Sequence, residues 1–598
     1  TAEGEGAQAL KIAVVAGGDV EAVATTIGGK IIAAGAQSTG AGISIEAIEN
    51  AVPSTINVAD DISSTGVGIE IDAGQSSGEV TTEIGGNVVA IGELSTGVDL
   101  SVLAGESASQ IQLDVAGDVG ATGLNATGIA IDLDSPTLTD PVTVGVGGSL
   151  VASGVGATGG RVSMTSSALL SEEALAVTVD GWVAATNNMA TGLDITLTNA
   201  ESTGNVALSI GEDAESSGGV EATGEGTTGV TIKSQANLGS TGNINFFVDG
   251  GTFVEGNNAT GLSFTSKAGL NSGTLTTEIN GDLDVSGTNA RGLAVAIDAD
   301  QDASAVSAQI AGNVTAEGSR AKAIDLAVTA GERAGGSNTR VSGDVVTEGD
   351  YSTGINVSVA AGTSAVAPTV KIDGNLQVGA SSTDAAGVFF KVETPEMSGI
   401  ASLDIGGNLL VNGVGATGAR IALTSSAQAA EEVVAVSVNN WLATTSDRAT
   451  GIDLELANAD RTGAVMLAIG DEEATEAGLF VDGANATGAR VNSVSESGAT
   501  GSVGAKVAGS MFVSGADAKG LAFHSAAGLA TNQTVSTTSS LSTSSGEHVA
   551  LMLEGDSDRD STSESGGLAL ALKGDLTVTG ENTVGVDSQL ESKTGAIA

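Results

Sequence analysis

One short unit recurs along almost the whole chain. It reads Gly-(Asn/Asp/Ser)-apolar-x-apolar-x-Gly and continues with Thr-Gly and further alternating apolar residues, as in residues 86–100. Clear units begin at residues 29, 86, 117, 148, 181, 218, 250, 281, 312, 343, 374, 407, 440, 477, 509 and 574, and weaker ones lie near 59 and 541. A regular period of this length is typical of solenoids, in which each unit packs only on its neighbours.

Each unit contains three short runs in which apolar and polar residues alternate. In one unit the apolar positions are Leu283 and Val285, followed by Leu293, Val295 and Ile297. Period-two runs rich in Val, Ile and Thr, separated by Gly, Asn and Asp, predict strands and turns. We therefore predict an all-β fold, a parallel β-solenoid (β-helix) with three-strand coils of about 31–33 residues.

The composition fits narrow coils. The chain has 88 glycines but only 9 Phe, 2 Trp and 1 Tyr, so Val, Ile, Leu and Ala must fill the interior. A glycine stands eleven positions after the start of 14 of the 16 clear units, with Ala323 and Ala385 as exceptions. These glycines are expected where the backbone has positive φ or approaches its neighbour closely.

The sequence also contains a longer repeat, which spans several of the short units. Residues 146–270 match residues 405–529 at a constant offset of 259. This match predicts tandem blocks of eight coils. The predicted regions are a first block (1–270), a duplicate second block (271–529), and a Ser/Thr/Asp-rich insertion followed by the start of a third block (530–598). We expect the insertion to form a loop excursion or one irregular coil.

Charge and composition exclude several classes of protein. With 72 acidic and 21 basic residues the net charge is −51, which excludes nucleic-acid binding by phosphate neutralisation. The chain has no cysteine, so it has no disulfides, iron–sulfur clusters or thiolate zinc sites. We predict no transmembrane segment, because no apolar run approaches the ~20 residues that a membrane-spanning helix needs.

The position thirteen after each unit start should form a column of stacked residues. It contains Arg161 and Asp194 in adjacent units, and Arg420, Asp453 and Arg490 in three others. Their apolar neighbours in sequence should point inward, so these charges should face outward. We predict a structural charge ladder, worth ~0.2–1 kcal/mol per pair.

Two acidic stretches are the main candidates for a metal site, and the pairs Glu172-Glu173 and Glu431-Glu432 are treated in the same way. Both stretches lie in the one unit of each block that is lengthened to 37 residues. Their carboxylates are Glu212, Asp213 and Glu215 in the first block, and Asp471, Glu472, Glu473 and Glu476 in the second. Such oxygens could hold Ca²⁺, but the spacing of an EF-hand and the Gly-Gly-x-Gly-x-Asp repeat are missing. A solvated acidic turn is favoured, and no other cofactor is predicted.

Enzymatic and ice-binding functions are weaker alternatives. Asp132 and Asp134 could form an acid/base pair, since β-helices also serve as polysaccharide-cleaving enzymes. The two tryptophans, Trp182 and Trp441, occupy matched positions, where packing on a turn is favoured over stacking on a sugar. The Thr-Gly steps place one threonine in each coil, whereas an ice-binding face needs a two-dimensional array.

The repeat resembles that of known surface proteins. Elements such as Gly117-Asp118-Val119, Ala126-Thr127-Gly128 and Ala416-Thr417-Gly418 are similar to those of β-helical passenger or stalk regions. Such regions occur in large Gram-negative surface proteins of the autotransporter and filamentous-adhesin type. The resemblance implies export across an outer membrane and an extracellular, surface-exposed location.

Together these observations predict a non-enzymatic extracellular structural protein. It would be a rigid acidic β-solenoid rod that serves as a surface-layer or filament subunit, or as an adhesin stalk. The alternatives are a carbohydrate-active enzyme and a calcium- or ice-binding solenoid. The expected partners are further copies of the chain, or a component of a cell surface, host or matrix. Self-association is expected because residues 10–15 read as a strand and a new block begins at residue 574, so both ends would offer strand edges for pairing.

Overall fold

The computed structural model divides the chain into two compact units, Thr1–Ser304 and Ala305–Ala598, which are described separately. It describes residues 2–3, 8–16, 18–20, 23–27, 31–34, 39–51, 54–59, 62–63, 67–167, 172–211, 218–426, 432–459, 462–470, 477–495, 502–508, 510–527, 532–537, 541–544, 549–557, 568–572, 576–579 and 584–592. Unit 1 and unit 2 below mean these two units.

Each coil contributes one strand to each of three sheets. We call these the short sheet, the long sheet and the third sheet, in the order in which a coil enters them. Successive strands of a sheet pair in parallel, for example Val88 with Val119 and then Leu150 in the short sheet. The described residues contain no helix. The predicted fold class, a parallel β-solenoid, is therefore confirmed.

The strands of unit 1 have the following bounds. Its short sheet contains Ala2–Glu3, Ile31–Ala34, Ile62–Ser63, Val88–Ala90, Val119–Ala121, Leu150–Ala152, Val183–Ala185, Val220–Thr223, Thr252–Glu255 and Leu283–Ser286. Its long sheet contains Gln8–Ala16, Thr39–Ala47, Val67–Ala73, Thr96–Ala104, Thr127–Asp134, Thr158–Ser166, Thr191–Asn199, Thr228–Ala236, Thr260–Ala268 and Arg291–Ala299. Its third sheet contains Val23–Ile27, Ser54–Val58, Val80–Ile84, Ile111–Val115, Val142–Val146, Glu173–Val179, Asn205–Ile210, Ile244–Val248 and Leu275–Ile279. Very short corner strands are Ser76–Ser77, Ser107–Ala108, Thr137–Leu138 and Asp302–Ala303.

Unit 2 repeats the same order. Its short sheet contains Val314–Glu317, Val345–Glu348, Leu376–Val378, Leu409–Val411, Trp441–Thr444, Gly478–Asp482, Ser510–Ser514, Leu541–Ser544 and Leu576–Thr579. Its long sheet contains Lys322–Ala330, Thr353–Ala361, Ala386–Glu393, Thr417–Ser425, Thr450–Asn458, Thr487–Ser495, Lys519–Ala527, Val549–Ser557 and Val584–Ser592. Its third sheet contains Val306–Ile310, Ser337–Val341, Thr369–Ile372, Ala401–Ile405, Glu432–Val438, Ala464–Ile469, Ser502–Val507, Asn532–Thr537 and Leu568–Leu572. Its corner strands are Arg333–Ala334, Ser364–Val366 and Glu396–Ser398.

The core of each unit is built from columns of apolar side chains. Alternate residues of a strand point inward, and strict register stacks like positions above one another. One column of the long sheet in unit 1 contains Ile43, Ile69, Leu100, Ile131, Val162, Ile195, Ile232, Phe264 and Val295, all buried. The same column in unit 2 contains Leu326, Val357, Phe390, Ile421, Leu454, Val491 and Phe523. Medium-sized apolar residues fill these narrow coils, as predicted.

Glycines occur where coils approach closely at the start of the long sheet. A Cβ atom on Gly159 would lie 2.5 Å from the carbonyl oxygen of Gly192 in the next coil. In the sequence analysis, Ala385 was an exception to the column of glycines that stand eleven positions after each unit start. That assignment is wrong. The register pairs Thr353 with Ala386, so Gly387 stands in the glycine column. The coil has two extra residues before this strand, so the position eleven residues after the unit start is Ala385 and not the glycine of the column.

Every coil from residue 86 to residue 517 turns into the long sheet through one residue with left-handed φ, between 51° and 68°. In unit 1 these residues are Leu94, Asn125, Gly156, Met189, Gly226, Asn258 and Asn289; in unit 2 they are Arg320, Tyr351, Asp384, Gly415, Arg448, Asn485 and Asp517. Asn, Asp and Gly tolerate this region, whereas other L-residues are strained there by ~1–2 kcal/mol. The corner geometry therefore overrides the local preference of Leu94, Met189, Arg320, Tyr351 and Arg448.

Asn and Asp side chains extend the coil-to-coil hydrogen bonding around another corner. In unit 1 the backbone N–H of Asp118 donates to Oδ1 of Asn87 at 2.7 Å, and that of Ser149 donates to Oδ1 of Asp118 at 2.7 Å. In unit 2 the same ladder contains Asn313, Asp344, Asn375, Asn408 and Trp441. This is the structural reason for the Gly-(Asn/Asp/Ser) start of each unit.

The Ser/Thr/Asp-rich insertion contributes one coil. Its strands Asn532–Thr537, Leu541–Ser544 and Val549–Ser557 pair with the preceding coil in all three sheets. Of the two predicted possibilities, the coil is therefore correct. The block boundary at 270/271 describes the sequence repeat and stays a prediction as a structural division.

The left-handed corners lead to a first prediction. Met189 is an exposed residue with φ of 56°, so Met189→Gly removes backbone strain and little packing. We expect a stabilisation of ~0.5–1 kcal/mol, measured by urea denaturation followed by circular dichroism. Gly226→Ala is the matched control, because φ is 66° there and a Cβ would contact only the Met189 side chain, at 3.8 Å. It should destabilise by ~1 kcal/mol. Equal midpoints for both variants would contradict the strain argument.

Candidate functional site: the charged column of the long sheet

The charged column in unit 1 has the predicted register but a different ion pair. Arg161 pairs in the ladder with Asp194. Its guanidinium, however, turns to the preceding coil and donates to Asp132 at 2.8 Å, with both side chains about half exposed. Oδ1 of Asp194 is buried and has no hydrogen-bond partner among the described residues. The expected contact between Arg161 and Asp194 is thus replaced by a diagonal contact with Asp132.

In unit 2 the column forms a network around Asp453. Arg490 donates two hydrogen bonds to this carboxylate, at 2.8 and 2.7 Å, and the pairing raises the pKa of Arg490. On the other side, Arg420 lies 3.9 Å from Asp453 and 2.9 Å from Glu455, with its guanidinium 6.0 Å from the ring of Phe389. Asp453 is only 4% exposed although it lies on the outer face of the strand, because long cationic side chains flank it on both sides.

The two blocks differ at several positions around this column. Asp453 has an arginine on each neighbouring strand, whereas Asp194 has Arg161 on one side and Thr231 on the other. Sequence analysis named the column but missed Asp132 and Glu455 as ion-pair partners. Both stand two residues further along the same outer face, which is within reach of an arginine side chain.

Acidic residues gather on the outer face beside Arg161. Partial burial raises the pKa of Asp99, the nearby Asp132 carboxylate raises it further, and Arg161 acts in the opposite direction. On a strand of unit 2, by contrast, hydrogen bonding from Arg340 holds the pKa of Asp373 below its usual range. Burial and a neighbouring carboxylate thus raise the pKa of Asp99, whereas arginine hydrogen bonding lowers that of Asp373.

The candidate calcium ligands are not placed by the structure. Glu212, Asp213 and Glu215, and their counterparts Asp471, Glu472, Glu473 and Glu476, lie outside the described residues. No group of three or more His, Cys, Asp or Glu side chains in the described ranges is arranged to hold a metal ion. Calcium binding stays a prediction.

The threonines of the Thr-Gly steps form one column in unit 1. Thr96, Thr127, Thr158, Thr191 and Thr228 pair successively in register. The next outward column contains Asp99, Ala130, Arg161, Asp194 and Thr231, so no second regular threonine row stands beside the first on this strand face.

The tryptophans mark the end of the Asn/Asp ladder. Trp182 lies over the backbone of Gly219, where a Cβ would lie 2.7 Å from the indole, and its ring centroid is 6.0 Å from that of Phe253. Trp441 pairs with Gly478 at the equivalent corner of unit 2. The Trp182 ring covers backbone that a glycine leaves open, which is the packing role favoured from the sequence.

Comparison with known proteins adds no family. No protein-family model, no curated protein and no solved structure matches the chain. Within the described residues, no helix is long and apolar enough to cross a membrane.

The buried carboxylate gives a second prediction. Arg490→Met leaves Asp453 buried with a single, more distant guanidinium, and we expect it to destabilise unit 2 by ~1–3 kcal/mol in urea denaturation. Arg161→Met is the control, since Arg161 and Asp132 are both about half exposed and their pair should contribute at most ~1 kcal/mol. A cost for Arg490→Met no larger than that of the control would show that the burial of Asp453 is unimportant.

The raised pKa of Asp99 gives a third prediction. The folded state disfavours the charged form of Asp99. At pH values above the pKa of the folded state, the ionised carboxylate therefore lowers the free energy of unfolding. At pH values below the pKa of the unfolded state, ~3.9, the group is protonated in both states and this penalty is absent. Asp99→Asn should therefore raise the thermal midpoint at pH 7, and the gain should vanish on acidification through this range. Asp134→Asn, on the exposed outer face of the adjacent coil, is the control. A gain that is the same at pH 7 and pH 3 would contradict the assignment.

Proposed function

We propose that the protein is a non-enzymatic extracellular structural protein, an acidic β-solenoid that serves as a surface-layer or filament subunit or as an adhesin stalk. One observation carries the proposal: polar residues that recur in successive units are used to join coils. In the Asn/Asp ladders of both units, a backbone N–H donates to a side-chain oxygen of the preceding coil, as from Asp344 to Oδ1 of Asn313 at 2.9 Å. Such residues serve the scaffold and do not converge on one cleft.

Exposed aromatic residues support self-association. Phe253 in unit 1 and the neighbouring pair Phe480 and Phe512 in unit 2 lie on the outer face of the short sheet, and each is more than a third exposed. Large apolar side chains exposed together are typical of contact surfaces. On a chain of net charge −51, copies approach most easily through such uncharged regions.

The proposed location is extracellular, at a cell surface. The resemblance of the Ala-Thr-Gly and Gly-Asp-Val elements to β-helical surface proteins supports it, and a chain without cysteine is compatible with export. A high carboxylate content keeps such a surface hydrated and limits non-specific contacts.

The proposal predicts assembly without turnover. Sedimentation velocity of the full chain should show oligomers that grow with protein concentration and with salt, because salt screens the repulsion between acidic copies. The variant carrying both Phe480→Ser and Phe512→Ser should associate less, whereas Phe389→Ser, which removes a ring from the long sheet, should not. A single monomeric species at every concentration and salt would count against the proposal.

The enzymatic alternative is tested on the same preparation. Asp132 is bonded to Arg161 at 2.8 Å, so its carboxylate is already engaged in an ion pair on the protein surface. We expect no release of reducing ends from a panel of polysaccharides. Depolymerisation by the wild type that is lost in Asp132→Asn would overturn the non-enzymatic assignment.

A further inference from the structure

Unit 2 has a polar cleft on the outer face of its long sheet. It lies over the strands Thr487–Ser495 and Lys519–Ala527, and its volume is about 400 Å³. The lining groups that matter here are Glu455, Arg490, Asn492, Asp517, Lys519 and His524. Sites for small molecules are typically of this size.

The cleft exists because one outer column changes abruptly in side-chain length. Arg490 is in register with Ala522 on the next strand, so a long guanidinium is followed by a methyl group. Asn492 and His524 flank this step on one side, and Lys519 flanks it on the other. Ala522 is 5% exposed and forms part of the lining between these longer side chains.

Among the described residues that line the cleft, the charges balance, unlike those of the whole chain. Two carboxylates, Glu455 and Asp517, stand against two cations, Arg490 and Lys519. The chain as a whole has net charge −51. The negative electrostatic field of the acidic protein would repel an anion, and a cation would not be attracted because the cleft lining has no excess of negative charge. The charge balance favours a ligand without net charge.

Hydrogen-bonding groups of both kinds are present. Lys519 and Arg490 donate, Asp517 and Glu455 accept, and the Asn492 amide does both. Oδ1 of Asn492 is buried and has no hydrogen-bond partner among the described residues, so the amide group has to rotate before this oxygen accepts from a ligand in the cleft. Hydroxyl groups, which donate and accept at once, match such a mixed set.

The duplicated block lacks these groups on the same strands. At the offset of 259, Glu455 corresponds to Thr196, Lys519 to Thr260, and His524 to Thr265. The backbone register is nevertheless the same, since Thr196 pairs with Lys233 as Glu455 pairs with Asn492. The cleft is therefore a feature of the second block that the solenoid scaffold does not require.

From the cleft volume, the balanced charge of its lining and its mixed hydrogen-bond donors and acceptors, we propose that this cleft binds one to two sugar rings of a neutral oligosaccharide. Arg490 is held in place by Asp453, so it presents its remaining surface without moving. Lys519, Asn492 and Asp517 then bond ring hydroxyls. The inference goes beyond the structural role proposed above and does not depend on it.

The test measures binding to the full chain by isothermal titration calorimetry and saturation-transfer NMR. The probes are maltotriose, cellotriose and chitotriose as neutral saccharides, with trigalacturonate and spermidine as charged comparisons. We expect at least one neutral trisaccharide to bind more tightly than either charged probe. The variant carrying Asn492→Lys and Lys519→Thr, the residues of the first block, should weaken it at least about tenfold.

The controls separate loss of the site from loss of the fold. Lys371→Thr removes a lysine elsewhere on unit 2, where it pairs with Asp373 at 3.2 Å, and should leave binding unchanged. Lys519→Gln, which keeps most of the side-chain length, should weaken binding with an unchanged circular dichroism spectrum. The proposal is wrong if no neutral trisaccharide binds, if a charged probe binds more tightly, or if the cleft variants bind as the wild type or no worse than Lys371→Thr. Sedimentation behaviour of the same variants reports on the assembly proposal independently.

Discussion

The parallel hydrogen-bond ladder between coils is the interaction on which the rest of each unit depends. Every strand must match its neighbour residue for residue, so one position in a coil constrains the same position in the next. The buried columns accept only side chains of similar size, such as Leu100, Ile131 and Val162. Where backbones meet most closely, as at Gly159 and Gly192, even a methyl group does not fit.

At the corners of a stacked coil, the backbone N–H and C=O groups need hydrogen-bond partners that the strand ladder does not supply. Strand residues satisfy one another across the ladder, but turn residues do not do so automatically. The solenoid uses two devices at two corners, the Asn/Asp side-chain ladder and, from residue 86 to residue 517, a residue in each coil with φ between 51° and 68°. The second device costs energy wherever the residue is not Gly, Asn or Asp, as at Tyr351 and Arg448. The stacked neighbours hold these residues in place, since the coil above and the coil below share the same turn.

The outer faces are free of these constraints, and there the two blocks have diverged. The same backbone register carries Thr196, Thr231 and Thr260 in unit 1, but Glu455, Arg490 and Lys519 in unit 2. Fifteen of the 21 basic residues lie after residue 304, and the ion-pair network around the buried Asp453 is in unit 2. A scaffold fixed by its interior can thus acquire a local site through a few outward substitutions.

The sequence by itself determined the fold. Its period fixes the coil length, its alternation fixes the three strands, and its glycine and Asn/Asp positions fix the corners, because in a solenoid nearly all contacts join equivalent positions. It also placed Arg161 beside Asp194 in the ladder. Only the tertiary structure decided that Arg161 bonds Asp132, that Gly387 replaces Ala385 in the glycine column, and that Asp453 is buried. The reason is physical. A ladder fixes the backbone position of each residue, whereas a long side chain can reach several neighbouring residues. Which of them it bonds depends on local packing, which the repeat pattern does not contain.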